Sequence, residues 1–135
     1  DHGRAAQLIA ESCFLSGLQK IETKDENGAS QKKWRPAYVL HYIQDRFQEP
    51  HFIIDISSVF DRKMEAIRAY STQFHNPVNQ TAEPQTYISS ENFLDGITAR
   101  ARLLGKRIGV EYGEGFLSVK SIGINSLDAL VQNET

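Results

Sequence analysis

The sequence holds one cysteine in 135 residues, Cys13. A single thiol excludes an intramolecular disulfide framework and any zinc finger built from several cysteines. No apolar run is long enough to cross a bilayer and no signal peptide opens the chain, so a cytoplasmic location is expected, with no membrane partner. An excess of one charge is missing too. Fifteen Lys and Arg face seventeen Asp and Glu, a net charge of −2, which argues against nucleic acid as a partner. There is no internal repeat and no low-complexity tract. Gly113-Glu-Gly115 lacks the third Gly and the following helix of a phosphate-binding loop. A nucleophile elbow and a paired-His helical metal motif are also absent. The four histidines are scattered at positions 2, 41, 51 and 75.

What is present is the composition of a folded domain. Hydrophobic residues make up 40% and charged residues 24%, too apolar for a disordered chain. The length suits one domain with a real core. Ala6, Leu8, Ile9, Cys13 and Phe14 recur at helical spacing and Gly17 follows as a stop, which predicts a first helix with a buried, inert Cys13 on its apolar face. Asp1 is placed to cap it. The polar stretch 19–35, with Asn27-Gly28, reads as a surface loop. Residues 37–43 are rich in β-branched and aromatic side chains and predict a strand, entered through Pro36. The continuous apolar run 52–56 predicts a second strand, buried on both faces.

Ser57 and Ser58 offer caps for a helix whose stripe is Phe60, Met64, Ile67, Tyr70 and Phe74. The Pro-containing stretch 75–88 reads as a lid loop. Ser89 or Ser90 caps the next helix, with Phe93, Ile97, Ala101 and Leu104 on one side and Arg102, Lys106 and Arg107 toward its C-terminal end. Gly105 and Gly109 punctuate the exit. A partial strand over 110–119 and a short final helix from about Asn125 complete the chain. The order predicts an α/β layer architecture. Two or three strands are few for a sheet covered on both faces, so further chain is expected.

Two blocks carry a resemblance. One is Asp55-Ile-Ser57 followed by Lys63, Ala66, Tyr70 and Gln73-Phe74. The other is Ala99-Arg100 followed by Gly105-Lys106, Gly109-Val110, Tyr112 and Glu114-Gly115-Phe116. In order and separation they resemble the LmbE-like (PIG-L) zinc-dependent deacetylases, and most nearly the branch that serves bacillithiol biosynthesis. The resemblance covers most of residues 1–116. It implies a Rossmann-like three-layer sandwich of which residues 1–135 form the C-terminal portion, with N-terminal strands and the first zinc motif missing.

The resemblance also implies a site. Asp1-His2 aligns with the end of the family's His-Pro-Asp-His motif, in which the last His binds zinc and the Asp orients the first His. Read this way, His2 is a metal ligand and Asp1 supports catalysis; read without the family, Asp1-His2 is a frayed terminus or a cloning scar. In the family, zinc held by two His and one Asp activates a water that hydrolyses the acetamide of an N-acetylglucosaminyl group. The Ala-His-Pro-Asp-Asp motif that supplies the other His, the zinc Asp and the base does not occur in these residues. One zinc per intact chain is therefore expected, with an incomplete site and no activity here.

Arg35 aligns with an Arg on the pocket floor of relatives and suits a substrate carboxylate or sugar oxygens; a surface Arg at a strand entrance is the other reading. A mobile Tyr of some relatives aligns with Phe93, which has no hydroxyl, and Tyr87 is the alternative substrate-binding residue. His41 within its strand reads as a core or interface residue rather than a catalytic one. For Asp55, Lys63, Gln73 and Arg100 the spacing points to element ends and helix faces, and so to structural or subunit-contact roles.

The implied substrate is an amino sugar, with malate-linked N-acetylglucosamine as the branch's example. The implied assembly is a homo-oligomer, a hexamer in relatives. The competing functional reading is a non-catalytic α/β assembly or interaction module of the same fold. A nucleotide-binding role ranks last, for want of a phosphate loop.

Overall fold

The computed structural model describes residues 2–70 and 87–131. Asp1, Gln73, Phe74 and the 75–86 part of the expected lid lie outside the described residues. The chain divides into two compact units, one made of Asp1–His41 with Leu117–Ile122, the other of Tyr42–Phe116 with Gly123–Thr135. The elements in order are α1 (His2–Leu15), β1 (Leu40–Tyr42), β2 (Phe52–Asp55), α2 (Phe60–Arg68), α3 (Glu91–Ile108) and β3 (Gly113–Ser118), with 3-10 turns at Ser57–Val59, Tyr87–Ser89 and Leu127–Ala129. Helices and a small sheet are thus combined. Strand order is β1-β3-β2, and β2 pairs with β3 antiparallel. This pair therefore lacks the parallel strand–helix–strand crossover that a Rossmann-like sheet uses.

The first unit has no buried hydrophobic residue among those described. In α1 the half-buried positions are Ala6, Ala10 and Cys13, continued by Gly17 just past its end at steps of three and four, while Leu8, Ile9, Phe14 and Leu15 are exposed. The expected apolar face is thus divided: the small residues turn toward protein and the large ones away. Cys13 is half-buried rather than buried. Residues 19–35 are exposed throughout. They contain a tight turn where Asp25 Oδ1 accepts the amides of Asn27 and Ala29 and Gly28 adopts a positive φ of 81°.

All seven buried apolar residues described belong to the second unit. Ile56, Phe60, Met64, Ile97 and Ala101 form one cluster, with Ile67, Phe93, Leu94 and Tyr112 packed against it. The helical stripes read from the sequence supply these contacts: Phe60 and Met64 from α2, Ile97 and Ala101 from α3; Leu104 of the α3 stripe is buried as well. Phe52 and Phe116 are register partners, and their rings stack with centroids 5.5 Å apart.

Several expected boundaries move. The first strand shrinks to three residues. β2 is not buried on both faces: Ile54 is 45% exposed and Asp55 is exposed, because the strand sits at the edge of the sheet. α2 stops at Arg68, which leaves Tyr70 63% exposed rather than on the core stripe. The final helix is only a single 3-10 turn.

The expected serine caps work differently as well. No side chain caps α2, and Ser90 stands at the N-terminal boundary of α3 with its hydroxyl given to Tyr87 O instead. The exit of α3 is a Schellman turn. Gly109 has a φ of 76°, its amide donates to Lys106 O, and the Val110 amide donates to Gly105 O. Gly105 gives that exit its carbonyl and has a second role. It sits inside α3, where a Cβ would lie 2.7 Å from Glu111 O, so its bare Cα lets the helix rest on the approach to β3.

Candidate functional site

Of the residues that the sequence singles out, His2 and Arg35 lie in the first unit, at opposite ends of α1. His2 is exposed at its start. Arg35 Nη2 donates to Phe14 O at 2.9 Å, and its guanidinium lies 4.8 Å from the centre of the Phe14 ring. That carbonyl is one of the last in the helix, a position that favours a cation. Gly17 makes room: a Cβ there would collide with Arg35 Nε. His2 and Phe14 are separated by roughly 18 Å of helix, so these two residues do not converge. Arg35 is an exposed residue that closes a helix end.

Tyr87 and Phe93, the two alternatives for the mobile aromatic, touch each other. Their rings meet edge to face with centroids 5.5 Å apart. Tyr87 is 69% exposed. Its carbonyl accepts the amide and hydroxyl of Ser90, which ties it to the start of α3. His41 is half-buried in β1.

A concentration of charge around a cavity lies within the second unit. A cavity of about 260 Å³ opens between α2, α3 and β3, with apolar walls that include Ile43, Ile67, Phe93, Ile97 and Leu104. Lys63, Arg100 and Glu114 also line it. Lys63 Nζ is 2.5 Å from Glu114 Oε1, with both side chains a little under one-third exposed. Arg100 has no hydrogen bond or ion pair among the described residues.

Lys63 and Arg100, whose spacing suggested helix faces, lie on α2 and α3, and there they meet Glu114 of β3 around one cavity. The overlooked signal is positional. Lys63 stands three residues after Phe60 and four before Ile67. Arg100 stands seven after Phe93 and three after Ile97. A cation on the apolar stripe of a helix is either paired or facing a cavity.

Next to this cavity the resemblance blocks bind one another. Asp55 Oδ1 accepts the Ser57 amide at 2.9 Å and its hydroxyl at 2.6 Å. The Ser57 hydroxyl oxygen accepts the Tyr112 amide at 3.0 Å, while the Ile56 amide donates to Tyr112 O. The bonds from Ser57 hold the Asp55 carboxyl below its ordinary range. Farther out, Arg107 hydrogen-bonds Glu49, which lowers the Glu49 carboxyl and raises the guanidinium. Arg102 is raised in the same sense by its contact with the Tyr112 hydroxyl.

Among the described residues no three His, Cys, Asp or Glu side chains gather as a metal site. His2 alone does not fit a zinc ion, which needs at least three protein ligands in a catalytic centre. No family model matches the chain.

Proposed function

We propose that this chain is part of a zinc-dependent N-acetylglucosaminyl deacetylase of the LmbE-like type, built in a Rossmann-like frame, with further zinc ligands and the base on chain upstream of Asp1. The observation that carries the reading is the mutual engagement of the two resemblance blocks. Asp55 and Ser57 hold the backbone of Tyr112, and Lys63 pairs with Glu114. Residues about fifty positions apart that match one family pattern thus act here as one local structure.

The reading makes His2 a zinc ligand, Asp1 its supporting carboxylate, and Arg35 and Tyr87 contacts to an amino-sugar substrate, with malate-linked N-acetylglucosamine first in line. Arg35 has to release Phe14 O to serve that role. A cytoplasmic homo-oligomer completes the proposal, and the isolated chain is inactive.

The test uses the intact protein that contains this chain. It should hold about one zinc per chain and release acetate from an N-acetylglucosaminyl substrate, and His2→Ala should abolish stoichiometric zinc. Metal-free protein with unchanged activity overturns the reading.

A second reading, a non-catalytic assembly module, draws on a different observation. The first unit has no buried apolar residue among those described, while Leu8, Ile9, Phe14 and Leu15 stay exposed. Surface of that kind is normally covered by other protein. The reading frame upstream of Asp1 separates the two. An Ala-His-Pro-Asp-Asp motif there favours the enzyme, and a start codon immediately before Asp1 favours the module.

A further inference from the structure

The cavity in the second unit carries one cation that its own residues leave uncompensated. Lys63 and Glu114 neutralise each other across 2.5 Å. Arg100, half-buried on the same lining, has no such partner among the described residues. A guanidinium presents two parallel N–H donors that fit a carboxylate edge on, a match that a point-like ammonium lacks. Its setting is otherwise hydrocarbon: Ile67, Ile97 and Leu104 line the same space. A bare inorganic anion would satisfy the charge and leave those walls wet. A purely apolar guest would cover the walls and leave the cation unanswered. A volume of about 260 Å³ lies just under the roughly 300–1,000 Å³ of drug-sized sites, which selects a small guest over an extended one.

We propose that this cavity binds a small carboxylic acid anion with an apolar body, its carboxylate on Arg100 and its hydrocarbon against Ile67, Ile97 and Leu104. None of His2, Arg35 or Tyr87 is among the described residues that line it, so the site does not rest on the deacetylase reading. Glu114 sets its selectivity. As the acid already inside the cavity it holds Lys63 and repels a second anion, so Arg100 is the anchor and Lys63 the reserve.

Benzoate is the probe, titrated into the intact protein by calorimetry, with benzamide and inorganic phosphate as controls. Benzoate should saturate one site. Benzamide, of the same shape but neutral, and phosphate, charged but without hydrocarbon, should each bind at least about tenfold more weakly. Arg100→Gln should weaken benzoate by about tenfold or more, with its cooperative unfolding transition retained.

Glu114→Gln should act in the opposite sense and tighten benzoate several-fold, because it removes the resident anion and frees Lys63. Should Arg100→Gln fail to fold, Arg100→Lys serves instead, with a smaller loss because the charge stays and the paired donors go. The proposal is overturned by any of four results: no saturation by about 10 mM benzoate, benzamide or phosphate as good as benzoate, unchanged affinity in a folded Arg100 variant, or weaker binding in Glu114→Gln.

Discussion

The ring of Phe60 lies flat on the ring of Tyr112, with centroids 3.8 Å apart and planes 5° from parallel. The contact fastens the first residue of α2 to the residue just before β3, and the Arg102 guanidinium lies 5.7 Å from the centre of the same Tyr112 ring. Phe60 is 5% exposed. Phe60→Ala should therefore cost about 3–5 kcal/mol of stability. A double-mutant cycle with leucine at both positions should leave a coupling of about 0.5–1.5 kcal/mol for the ring pair. Urea unfolding measures both, and a loss below about 1 kcal/mol for Phe60→Ala would contradict the packing.

The Asp55–Ser57 contact makes a pH-dependent prediction. The carboxyl titrates lower in the folded chain than its ordinary value because Ser57 donates to it twice. A depressed folded value means that the unfolded chain binds the proton more readily. The stabilisation is then fully present above the ordinary range near pH 4 and disappears as pH falls through the folded value. Asp55→Asn should be less stable than the parent at pH 7, with the gap closing in acid. In Ser57→Ala the Asp55 carboxyl should titrate nearer its ordinary value, as followed by carbon-detected NMR. A gap that widens in acid would refute the sign.

Two glycines of α3 should answer the same substitution in opposite directions. At Gly96 a Cβ meets nothing within 4 Å, whereas at Gly105 it meets backbone atoms of Glu111 and Tyr112 at 2.7–2.8 Å. Gly96→Ala should gain up to about 1 kcal/mol from helix propensity and the stiffer unfolded chain. Gly105→Ala collects the same gain but must displace backbone, so a net loss of about 1–3 kcal/mol is expected. Thermal unfolding of the pair checks this, and two shifts of one sign would exclude it.

Gly109 differs from both, since its difficulty is torsional. With φ at 76° any side chain is disfavoured, and Gly109→Ala should destabilise by roughly 1 kcal/mol. Asparagine, which tolerates that region, should recover part of the loss in the same assay.

These contrasts show what could be read before the fold was known. The stripes of α2 and α3 were legible because both helices bury one face, and hydrophobic spacing reports that directly. β2 misled because a run of three apolar residues, Phe52 to Ile54, looks the same at the edge of a sheet as at its centre. Only strand order distinguishes them, and order depends on partners far along the chain. α1 misled for a related reason: periodicity shows which residues share a face, not whether anything covers it. The convergence of Lys63, Arg100 and Glu114 was not legible because their positions on three elements meet only once α2, α3 and β3 are packed. The roles proposed for His2 and Tyr87 rest on family resemblance and not on geometry. Arg35 shows why the distinction matters, since its guanidinium is engaged at a helix end by Phe14.

The register of β2 on β3 also has a kinetic side. Phe52 faces Phe116 and Asp55 faces Gly113, partners separated by about sixty residues of chain, whereas α3 reaches β3 through one tight turn at Gly109. Loop closure for the distant pair costs entropy before any contact repays it. Refolding should therefore form the α3–β3 corner early and add β2 late. A mutation at Ile53 should then mainly accelerate unfolding, and one at Leu104 should mainly slow folding.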